Sequence, residues 1–90
     1  MREKDIERYL HTRVTQMGGT TRKWVSTAHC GVPDRICFLP GGIIFFVELK
    51  TPRGKVSVRQ EREIKTLQDL GARCFVAVGM AGVDEVLRKL

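Results

Sequence analysis

Ninety residues carry sixteen Lys plus Arg against ten Asp plus Glu, a net charge of +6, with 42% hydrophobic and 29% charged residues. That balance fits one folded domain and excludes a disordered chain. Three cysteines cannot build a disulfide framework, and the longest apolar stretch, 36–47, is broken by Pro40-Gly41-Gly42 and falls short of the ~20 residues a membrane-spanning helix needs.

Residues 3–17 are expected to form a helix, with Ile6, Leu10, Val14 and Met17 on one face and Gly18-Gly19 as the stop. Residues 22–27 read as a strand centred on Trp24 and Val25. Two further strands, 34–39 and 43–50, flank Pro40-Gly41-Gly42, a three-residue hairpin signal. The unbroken apolar run Ile43 to Val47 suits a central strand covered on both faces. Ser57 and Gln60 have the spacing of a capping box and open a second helix. That helix buries Ile64 and Leu67 and stops at Gly71. Cys74 to Val78 is a short strand, and 82–90 a last helix with Val83, Val86, Leu87 and Leu90 at helical spacing. The order α-β-β-β-α-β-α gives an α/β fold, a mixed central sheet flanked by helices.

The composition also bears on partners and compartment. The first ten residues mix charges of both signs without an apolar run, which argues against a secretory signal. Cys30, Cys37 and Cys74, with His11 and His29 far apart, have no zinc-finger spacing, and a reduced intracellular protein is expected. The positive charge points to a polyanionic partner, nucleic acid first.

The hairpin holds the chemistry. With a loop at 40–42, antiparallel pairing puts residue 34 opposite residue 48, within one residue of register. Glu48 and Lys50 then share one face of their strand, while Val47 and Leu49 take the other. Asp34, Glu48 and Lys50 gather at one sheet end. Two carboxylates, with the Leu49 carbonyl as a third oxygen, suit Mg²⁺, and the ammonium can stabilise phosphate charge or act on a water. A surface ion pair between Glu48 and Lys50 is the alternative, but a charge continuing a buried apolar strand needs a reason.

Pro33-Asp34, thirteen intervening residues and Glu48-Leu49-Lys50 resemble the PD-(D/E)xK nuclease motif. Gly31-Val32-Pro33-Asp34-Arg35, Val47-Glu48-Leu49-Lys50-Thr51, Gly54, Ser57 and Gln60 resemble its VRR-NUC branch in particular, as does the opening Glu3-Lys4-Asp5-Ile6-Glu7 with Leu10. The likeness runs from residue 3 to about residue 79. It implies a restriction-endonuclease-like αβββαβ core with Mg²⁺- or Mn²⁺-dependent phosphodiesterase activity on DNA. Small stand-alone members, often phage- or prophage-borne, resemble Holliday-junction resolvases and act as homodimers in the host cytoplasm. Flap or general duplex cleavage, a non-catalytic DNA-binding module and a structural or inhibitory small protein whose basic charge is incidental stay open beside it.

The resemblance also asks for an acid on the first helix. Glu3 and Glu7 both have suitable spacing; at ~100° per residue Glu3 lies about 25° from the centre of the apolar stripe and Glu7 about 65° away, which favours Glu3 as a further catalytic residue and metal ligand. Gln60 is either half of a capping box or the polar active-site residue of that helix. Arg22, Lys23, His29, Arg35, Arg53, Lys55 and Arg59, with Arg62, are the candidates for a DNA-facing surface. Trp24 or the apolar side of the last helix would supply a dimer contact.

Overall fold

The apolar stripe of the first helix decides which side of the sheet is filled. In a computed structural model describing residues 1–90, the elements are α1 (Glu3–Gln16), β1 (Thr20–Lys23), β2 (Arg35–Leu39), β3 (Ile43–Lys50), α2 (Val58–Asp69), β4 (Cys74–Val78) and α3 (Gly79–Arg88). Ile6, Leu10 and Val14 of α1 are wholly buried. They meet Phe45, Val47 and Leu49 of β3 and Val83, Val86 and Leu87 of α3 in one core. Each such side chain contributes about 1.5–3 kcal/mol on burial. Met17 does not extend the stripe. It is the C-cap of α1 and 42% exposed, because the chain turns away at Gly18.

The strands lie in the order β1-β2-β3-β4; the first two pairings are antiparallel and β3–β4 is parallel, with α2 as the crossover. The sequence-based order of elements and mixed sheet are therefore correct. Arg35 pairs with Val47 and Leu39 with Ile43 around the 40–42 turn. One further step along that register sets Asp34 against Glu48.

Three local expectations differ. The first strand is Thr20–Lys23, not 22–27. Its ladder with β2 ends where the Trp24 amide donates to the Asp34 carbonyl at 2.9 Å, so Val25 stands outside it, 71% exposed. The last helix starts at Gly79 rather than 82, because β4 runs into it without a loop. Its first turn carries Gly79 and Gly82, poor helix formers, with Met80 as its one large apolar side chain. The apolar side of α3 is spent on the core and is not free for a partner.

The central strand is also less covered than its apolar run implies. The second helix lies over the other sheet face, burying Ile64 and leaving Leu67 half-buried. It shelters the end of β3 that holds Glu48. Toward the hairpin that face is open: Phe38 and Ile44, which pair across the strands, are 37% and 48% exposed. Trp24 packs against Phe46 at 5.4 Å between ring centroids. Gly71, at φ +91, ends α2 as the sequence predicts.

Gly19 is fixed by close approach. A Cβ there would lie 2.0 Å from the Phe38 carbonyl oxygen and 3.0 Å from side-chain atoms of Leu39 and Val14. Gly41, by contrast, has nothing within 4 Å. Gly19→Ala should lower stability by about 3 kcal/mol or more, and Gly41→Ala, which bears only its positive φ, by about 1 kcal/mol. Urea unfolding of the two variants measures the difference.

Candidate active site

Where the β2–β3 ladder ends, a side chain takes over from the backbone. The Leu49 amide donates to Asp34 Oδ2 at 3.0 Å, so the carboxylate that opens β2 is fixed to the strand carrying Glu48. Glu48 is 1% exposed, an unusual place for a carboxylate. The parallel pairing of Glu48 with Val76 closes one flank, and α2 covers the face.

Both visible partners of Glu48 use the same oxygen. Lys50 Nζ lies 3.3 Å from Oε2, and the Gln60 side-chain amide donates to Oε2 at 2.9 Å. The other oxygen, Oε1, is buried without any partner. A buried carboxylate oxygen left bare is costly, and it leaves Oε1 with capacity to accept from a water, a ligand or a cation.

Burial first, then the charge of Asp34, pushes the Glu48 carboxyl up to about 7, although Lys50 pulls it back. Glu3 stands exposed at the rim in the first turn of α1. Loss of hydration on its inner side, followed by the Asp34 charge, raises its carboxyl above the usual range. Glu7 turns elsewhere, its Oε2 accepting from Arg35 at 3.1 Å. The first-helix acid beside Asp34 is thus Glu3. No three His, Cys, Asp or Glu side chains close into a cation cage, so Asp34, Glu48 and Glu3 do not form one by themselves.

The basic candidates divide by sheet face. Arg35, half-buried and bound to Glu7, is not a free phosphate contact. Its strand position faces α1, as does Lys23, its partner across the ladder. Arg22 is exposed on the face of Glu48, with its guanidinium donating to the Thr20 hydroxyl and the Thr21 carbonyl. Arg53 and Lys55 are exposed on the loop that follows Lys50, and Arg59 and Arg62 on α2. His29 meets Glu63 at 2.8 Å beside a groove of about 430 Å³ that Arg59 and Arg62 also line. Sequence reading did not identify the Arg35–Glu7 and His29–Glu63 pairs, which span 28 and 34 residues and leave no local pattern.

This arrangement has relatives. The family model of the VRR-NUC domain matches residues 8–81. The chain belongs to the VRR-NUC family. A phage protein named "Putative nuclease p44", from Acyrthosiphon pisum secondary endosymbiont phage 1, is 43% identical over 76 residues, covering 84% of this chain and 82% of its own length. A solved structure described as a VRR_NUC domain superposes with a TM-score of 0.89 at 32% identity, covering 96% of this chain and 94% of that one. A second, a "VRR_NUC domain protein", has a TM-score of 0.74 at 14% identity over 98% of this chain and 86% of that one, a likeness of fold. The VRR-NUC match includes Asp34, Glu48, Lys50 and Gln60 but begins after Glu3.

The raised Glu48 carboxyl has a consequence for stability. The folded protein holds this proton more tightly than the unfolded chain, whose group titrates near 4.5. The stability it contributes is therefore full below about pH 4.5 and lost as pH rises through about 7. Glu48→Gln, which stays neutral, should gain on the wild type by about 3 kcal/mol between pH 4.5 and 8. Urea titrations at the two pH values, without divalent cations, check the sign.

Proposed function

We propose that this protein is a divalent-metal-dependent deoxyribonuclease that hydrolyses phosphodiester bonds, acting as a homodimer on branched DNA such as four-way junctions. The observation that carries the reading is the bare, buried Oε1 of Glu48 beside Asp34 and Lys50 at one sheet end. Membership of the VRR-NUC family and the likeness to a phage protein named as a nuclease support it.

The donor set is all oxygen and suits Mg²⁺ or Mn²⁺. Mg²⁺ is commonly held by one or two carboxylates, with waters and substrate phosphate completing its shell, so a closed protein cage is not required. Asp34 and Glu48 would hold it, with the Leu49 carbonyl and the rim acid Glu3 as further oxygens. A bound cation would supply Lewis-acid polarisation of phosphate and a more acidic water. The chain's own groups do the rest. Lys50, as the ammonium, sets a positive charge beside the phosphate and orients the attacking water; as the neutral amine it would instead take that water's proton. Gln60 steadies Glu48. Arg22, Arg53, Lys55 and Arg59, with Arg62, give the duplex its phosphate contacts.

Cutting two strands of a junction needs two such sites, which a twofold dimer provides. The open sheet face around Phe38, Ile44 and Trp24 offers apolar surface for that contact. Ile44→Lys should convert a dimer to a monomer in light scattering at micromolar protein. A wild-type monomer that retains activity would contradict the dimer.

The cleavage test is a panel of labelled junctions, flaps and duplexes with Mg²⁺ or Mn²⁺. Asp34→Asn, Glu48→Gln and Lys50→Ala should each lower cleavage roughly a hundredfold or more while remaining folded. Only the first two should weaken cation binding strongly. Junctions should outcompete linear duplex at about 0.15 M salt, where non-specific phosphate attraction is weakened. Full activity in EDTA would sink the metal mechanism. Equal rates on all substrates would favour a general nuclease, and binding without cleavage a DNA-binding module.

A further inference from the structure

Glu48 has two oxygens, and the start of α2 decides which one is occupied. The Ser57 backbone amide donates to Gln60 Oε1 at 3.0 Å, and the Gln60 backbone amide donates to Ser57 Oγ at 3.1 Å. With its oxygen taken, the Gln60 side chain has only its NH₂ left for Glu48, and it reaches Oε2 at 2.9 Å. The flipped amide would set NH₂ against the Ser57 N–H and a carbonyl oxygen against a carboxylate, two repulsive contacts in place of two hydrogen bonds. Lys50 approaches the same Oε2, so the two donors together leave Oε1 free.

We infer that the capping box of α2 is a positioning device for the active-site carboxylate: Ser57 and Gln60 lock the amide as a one-way donor to Oε2, so that Oε1 is the oxygen presented to a ligand. The inference rests on the nuclease reading above. A capping box is filled as well by Glu as by Gln at its last position. Only Gln accepts from Ser57 and donates to Glu48 at once, so helix capping by itself does not account for Gln at position 60. Ser57 is exposed and touches Glu48 only through Gln60, which makes it a positioning residue.

The test separates this role from simple helix stabilisation. Ser57→Pro removes the N–H that holds the Gln60 carbonyl, at a backbone φ of -72 that proline adopts; Ser57→Ala removes only the capping hydroxyl and keeps that N–H; and Lys65→Gly weakens the exposed middle of the same helix away from the lock. In ¹⁵N-labelled protein the Gln60 side-chain NH₂ should exchange slowly with solvent in the wild type and Ser57→Ala, and fast in Ser57→Pro. Cleavage of labelled DNA with Mn²⁺ should fall about tenfold in Ser57→Pro, and be unchanged in Ser57→Ala and Lys65→Gly at a matched loss of Tm. Unaltered NH₂ exchange in Ser57→Pro, or an equal loss of cleavage in Lys65→Gly, would overturn the inference. If the wild type cuts no DNA, the nuclease reading fails, and the exchange comparison decides the lock by itself.

Discussion

A carboxylate buried at the end of the central strand sets the terms for everything around it. Glu48 continues a run of apolar residues on β3 and has lost nearly all its contact with water. An isolated charge in such a place is destabilising by several kcal/mol, and it stays ionised only where donors and a cation compensate. Lys50, two residues on, supplies a charge, and Gln60 from the crossover helix supplies a directed hydrogen bond. Both act on one oxygen. The sheet thus tolerates an acid that is half satisfied, which is a strain on stability and an opening for chemistry.

The two faces of the sheet divide the work. On one, α1 and α3 form a continuous apolar core that fixes β3 from behind. On the other, α2 covers only the part of β3 where the acid lies. The same strand is therefore held rigidly at its back, sheltered at its acidic end and bare near the hairpin, where Ile44 is exposed. Arg35 and Glu7 join β2 to α1 at the rim, next to Asp34 in sequence, and keep Glu7 away from the acids. That leaves Glu3, one turn earlier, as the side chain of α1 that faces Asp34.

Much of this was legible in the sequence because it is local. The 40–42 turn fixed the pairing of residues 34 and 48, and the Ser57–Gln60 spacing fixed where α2 starts. Strand β4 was readable from its five apolar residues bounded by Gly71 and Gly79. The misreadings came where tertiary geometry overrides pattern. Trp24 and Val25 look like strand residues, yet the ladder ends as the chain leaves β1. Gly79-Met80-Ala81-Gly82, with two glycines, reads as a break rather than a helix, yet forms the first turn of α3 because the preceding strand feeds directly into it. Arg35 looks like any basic surface residue until strand alternation turns it toward α1.

The distances along the chain have a bearing on how the molecule assembles. The bonds that define the acidic cluster join residues 12 and 15 apart, Gln60 to Glu48 and Leu49 to Asp34. The bond from Tyr9 to Asp84, which ties α1 to α3, spans 75. Closing the longer loop costs about 1.6 kcal/mol more in chain entropy than closing the shortest of these. Folding is thereby biased toward an early hairpin with its crossover helix, in which Asp34, Glu48, Lys50 and Gln60 already lie on one contiguous stretch. The termini carry the larger closure cost, and it is their docking that brings the Glu3 carboxylate to a cluster whose other members lie close together along the chain.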